Sequence, residues 1–65
     1  MKEKSERLAK KLNYAIIEDK KGISIETMSG SALIYRLHRR NYENPQDIWD
    51  DVYVKLKELD YKEEW

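Results

Sequence analysis

One histidine and a handful of carboxylates and hydroxyls are the residues of this chain with the means for catalysis. His38 is the single histidine, and the serines are Ser5, Ser24, Ser29 and Ser31. A general base needs a partner to orient it and a pocket to work in. No serine lies in a nucleophile-elbow pattern that would pair it with His38 and an acid. Asp47, Asp50 and Asp51 fall within one helical turn, and a hard cation such as Mg²⁺ could sit on such oxygens. Acids at the start of a helix also stabilise its positive dipole end without any ligand. The oxygen-rich loop of a calcium site is missing. With no cysteine there is neither a thiolate metal site nor a disulfide. A zinc site on one histidine would need carboxylates for its other ligands. No phosphate loop or dinucleotide fingerprint occurs. The expectation is no enzyme, no metal and no cofactor.

Binding chemistry is better represented. Arg36, His38, Arg39 and Arg40, with Tyr42 nearby and Lys10 and Lys11 from the first segment, make a candidate anion or nucleic-acid patch. Basic groups pair with phosphate, and an aromatic beside them stacks a base. A second set is apolar. Val54, Tyr61 and Trp65 are spaced by seven and four, which puts them on one side of a helix. Tyr14, Ile16, Met28 and Ile34 form another group beside charges. Large aromatic and apolar side chains left on a surface mark association sites.

These residues must be positioned by elements that the pattern predicts in the order α-β-β-β-α. Leu8 and Leu12, with Ala9 and Ser5 at nearby angles, give a narrow apolar stripe on a helix over residues 2–13, which Asn13 stops. Residues 14–19, 23–28 and 32–38 are rich in strand formers. They are separated by Asp19-Lys20-Lys21-Gly22, where Gly22 could take positive φ, and by Ser29-Gly30-Ser31. Short connections of this kind predict a three-stranded antiparallel meander. Helix is the alternative over residues 32–40, where Leu33, Leu37 and Arg40 also fit helical spacing. Residues 39–43 read as a polar loop. Asn44 is then a good N-cap, Pro45 suits the first helical position, and Asp47 faces the free N–H groups. The last helix is expected over residues 45–62. Its core stripe is Ile48, Trp49, Val52, Tyr53, Leu56 and Leu59.

The fold class is thus α+β, one small domain over residues 1–65, with both helices on one face of the sheet. Ala15, Ile17, Ile23, Ile25, Leu33, Tyr35 and Leu37 are expected on the core face. Tyr14, Ile16, Glu18, Ser24, Glu26, Met28, Ile34, Arg36 and His38 are expected on the other. The element order resembles the double-stranded-RNA-binding domain, a family that places basic residues at the start of its last helix. Here that stretch is Asn44-Pro45-Gln46-Asp47-Ile48-Trp49-Asp50-Asp51, which is acidic, so the resemblance stops at element order.

Charge and length frame the function. The 65 residues carry 13 basic and 13 acidic side chains. Residues 1–22 hold seven basic and four acidic groups, whereas residues 45–65 hold three and seven. Zero net charge argues against attraction of the whole molecule to nucleic acid. The basic first half of one subunit could steer toward the acidic last helix of another. No apolar run approaches the roughly 20 residues of a membrane span, and Met1-Lys2-Glu3-Lys4 lacks a secretory apolar stretch. We expect a cytoplasmic, non-catalytic interaction or regulatory protein, a homodimer that binds another protein and no membrane. Nucleic acid is the alternative partner. Small accessory gene products, phage-encoded ones included, share this size and composition.

Overall fold

In the computed structural model, which describes residues 1–63, the chain forms α1 (Lys2–Lys11), β1 (Tyr14–Glu18), β2 (Gly22–Thr27) and β3 (Leu33–His38). A short 3-10 helix η1 (Arg39–Asn41) and α2 (Asp47–Glu63) complete it. The sheet is an antiparallel meander in the order β1-β2-β3, with the helices packed on it. Residues 33–38 are strand, and the polar loop that follows winds into η1. No helix among the described residues is long and apolar enough to cross a membrane.

The helix ends follow from local chemistry. Asn13 takes φ 63°, a left-handed conformation that asparagine tolerates, and α1 stops there. At the other helix, the Gln46 N–H donates to Asn44 Oδ1 (3.1 Å) and the Asp47 N–H to the Asn44 carbonyl (3.0 Å). Asn44 therefore caps a tight first turn, and regular α-helix begins at Asp47.

One core joins the layers. Ala9 and Leu12 come from the α1 region, Ile23, Ile25 and Leu37 from the sheet, and Ile48, Trp49, Val52 and Leu56 from α2. Burying each of the larger side chains contributes roughly 1.5–3 kcal/mol. Leu8, Tyr14, Ile16, Tyr42 and Leu59 pack against the rim of this cluster. The Ser5 hydroxyl is fully buried in the α1 stripe and has no hydrogen-bond partner among the described residues.

Two register features correct the expected strand faces. The β1–β2 hairpin pairs Ile16 with Ile25 and Ile17 with Ser24. A two-residue loop, Lys20-Lys21, sets this register, because a slip of one residue exchanges every side chain between faces. Tyr14 and Ile16 thus lie on the helix side, while Ala15 and Ile17 lie on the outer side with Ser24. The second feature is a bulge in β3. Ile25 pairs with Tyr35 but Glu26 pairs with Leu33, so Ile34 is the extra residue. Leu33 is carried out of the expected core to the outer face, where it is 60% exposed.

Gly22 is needed for a reason other than the expected one. Its φ is not among the positive values, which belong to Asn13, Gly30 and Ser31. A Cβ at Gly22 would instead collide with the Leu37 carbonyl oxygen on β3.

Candidate interaction site

The basic patch is largely consumed inside the molecule. Asp19 opens the β1–β2 turn, and its Oδ1 accepts the backbone N–H groups of Lys21 (2.8 Å) and Gly22 (2.9 Å). Aspartate first and glycine fourth is the residue signature of a type I turn. The Arg36 guanidinium on β3 meets the same carboxylate with two nitrogens, each at 3.1 Å, and also donates to Ser24 Oγ at 2.6 Å. Arg36 holds the Asp19 carboxyl at about 2, below its ordinary 3.8, helped by the two backbone N–H groups. Arg39 donates to Glu18 at 2.8 Å and to the Asp19 carbonyl at 3.1 Å. That bond draws the Glu18 carboxyl below its usual range. Arg36 and Arg39 are therefore clamps that tie the turn to β3 and η1, and they are not free anion ligands.

The remaining members of that patch are dispersed. Tyr42 is half-buried and donates its hydroxyl to Asp51 at 2.5 Å. Burial, and then the Asp51 carboxylate, push the phenol up to about 12. A ring held in this way is not presented for stacking. Lys11 reaches Asp60 on α2 at 4.0 Å, so part of the charge asymmetry expected between subunits is satisfied within one chain. Lys10 borders a cleft of about 330 Å³ with Tyr14, Ile16 and Met28, between α1 and the β1 edge. His38 is half-buried and Arg40 exposed. Lys20 and Lys21, which the sequence did not mark, join them around a cleft of about 410 Å³ with Arg39.

The apolar candidates also regroup. Tyr14, Ile16 and Met28 do come together at the β1 edge, although Tyr14 and Ile16 are half-buried against the core. Ile34 lies on β3, at the opposite edge of the sheet. On α2, Val54 is 55% and Tyr61 63% exposed, on the side away from the core stripe. Trp65 lies outside the described residues. Val54 and Tyr61 line a shallow concavity of about 460 Å³ with Tyr53, Lys57, Glu58 and Lys62.

This surface continues onto the sheet. Val54 and Glu58 also border a second depression with Tyr35, Leu37, Tyr42 and Lys55. Tyr35 faces the helix side of the sheet yet stays 44% exposed, because it sits on the edge strand. The Lys55 ammonium lies 4.6 Å from its ring centroid, a cation–π contact that connects α2 to the β3 edge. Helical periodicity pointed to Val54 and Tyr61. Tyr35 was expected on the core face, and its exposure follows from the edge position of β3, whereas the outward turn of Leu33 follows from the bulge. Among the described residues no group of three or more potential metal ligands is assembled.

No protein-family model matches the chain, and no curated protein or solved structure gives a significant match.

Proposed function

We propose that this chain is a cytoplasmic, non-catalytic interaction protein that acts as a homodimer and, in that form, binds another protein. The observation that carries the reading is the apolar concavity on α2 that holds exposed Val54 and Tyr61, with the exposed Tyr35 ring of β3 across a more polar depression beside it. Small domains bury a limited share of their surface and often gain stability by association. Two properties favour a second copy as the first occupant. The face borders an edge strand, and two such edges pair readily about a two-fold axis. Its rim is also self-complementary, since Lys57 and Lys62 flank Glu58.

The reading is tested with Val54→Glu combined with Tyr61→Ala. Both positions are exposed, so the fold should survive, as far-UV circular dichroism would show. The weight-average mass by sedimentation equilibrium should fall from the dimer's toward the monomer's. A dimer that persists unchanged would place the contact elsewhere.

A further inference from the structure

The cleft between the β1–β2 turn and η1 gathers basic side chains from two segments far apart in sequence. Lys20 and Lys21 come from the turn, and His38, Arg39 and Arg40 from the end of β3 and η1. The Arg39 N–H donates to the Lys21 carbonyl at 2.9 Å, which fixes the two walls against each other. The nearby acids, Glu18 and Asp19, are already paired with Arg39 and Arg36. No acid lines the cleft, and Lys20, Lys21 and Arg40 enter no ion pair among the described residues. Like charges held together without counter-charges form a focus of positive potential even on a neutral molecule.

We infer that this cleft binds the phosphate backbone of a single nucleic-acid strand. Arg40, Lys20 and Lys21 meet the phosphates, and Arg39 positions the wall. Recognition is of charge and not of sequence. The one aromatic expected to stack a base, Tyr42, is turned instead to Asp51. Backbone contacts by lysine and arginine position a strand without reading it. The size also suits one strand, since the concavity of about 410 Å³ is bounded by a tight turn and a single turn of 3-10 helix.

The test is fluorescence anisotropy with a labelled, mixed-sequence single-stranded DNA oligonucleotide, using the full chain at low salt. The parent should bind, with a log–log salt slope of roughly −2 for three phosphate contacts. Lys20→Ala with Lys21→Ala should weaken binding at least about tenfold, and Arg40→Ala severalfold. Lys4→Ala with Arg7→Ala removes the same charge from the exposed side of α1, outside both surfaces, and should leave affinity within about twofold. Circular dichroism confirms that each variant is folded. No binding by the parent at low salt overturns the inference, as does an equal loss in the α1 control, which would mean diffuse attraction. Displacement of a phosphate-sensitive probe by inorganic pyrophosphate, without oligonucleotide binding, would overturn the nucleic-acid assignment in favour of a small anion. None of these outcomes depends on the dimer contact.

Discussion

Asp19, though exposed, ties the β1–β2 turn to β3. It accepts two backbone N–H groups of its own turn and two guanidinium nitrogens of Arg36. Its carboxyl is held at about 2 against an ordinary 3.8. Ionised Asp19 therefore stabilises the folded state above the unfolded value, and that contribution is lost as pH falls toward the folded one. Asp19→Asn should lower the thermal midpoint at neutral pH. It should also flatten the decline that the parent shows between about pH 4 and pH 2. Equal acid sensitivity in both proteins would show that the Arg36 pair contributes nothing. Ser5 poses the opposite case. Its hydroxyl is buried without a partner among the described residues, so Ser5→Ala should raise the unfolding free energy by about 1 kcal/mol in urea titrations. A loss of stability would mean that the hydroxyl has a partner after all.

Strands and helices depend on a few contacts that local substitutions can break. Gly22→Ala drives a methyl group into the Leu37 carbonyl, and should cost about 1–3 kcal/mol by forcing β2 and β3 apart. Leu56→Ala would leave a cavity beneath α2, at a cost of about 2–5 kcal/mol, enough to unfold much of a small domain. Both are read from denaturant midpoints. The two helices and their buried stripes were legible in the sequence, because Ser5, Ala9 and Leu12, and Ile48, Val52 and Leu56, repeat at helical spacing. The strands were legible as strands, but their faces were not. Face depends on loop length and on bulges. Lys20-Lys21 as a two-residue loop moved Tyr14 and Ile16 to the helix side, and the extra residue Ile34 turned Leu33 outward. The ion pairs of Arg36 and Arg39 were not legible in the sequence for a related reason. Arg36 and Arg39 find Asp19 and Glu18 only once β1 and β3 flank the same strand.

At the scale of the whole molecule, neutrality conceals a division of labour. Basic groups of α1 and acidic groups of α2 lie side by side, as in the Lys11–Asp60 pair, and offset one another. Lys20, Lys21 and Arg40 gather at the turn–η1 cleft, while the apolar concavity with Val54 and Tyr61 lies on α2. The two surfaces have no lining residue in common. An interface centred on Tyr35, Val54 and Tyr61 should resist salt, because apolar burial is little affected by screening that weakens exposed ion pairs. Light scattering behind a sizing column, in low and then high salt, is the most direct test. A dimer held by this interface gives twice the 7.9 kDa chain mass in both conditions. The mass of a single chain in both conditions would contradict it.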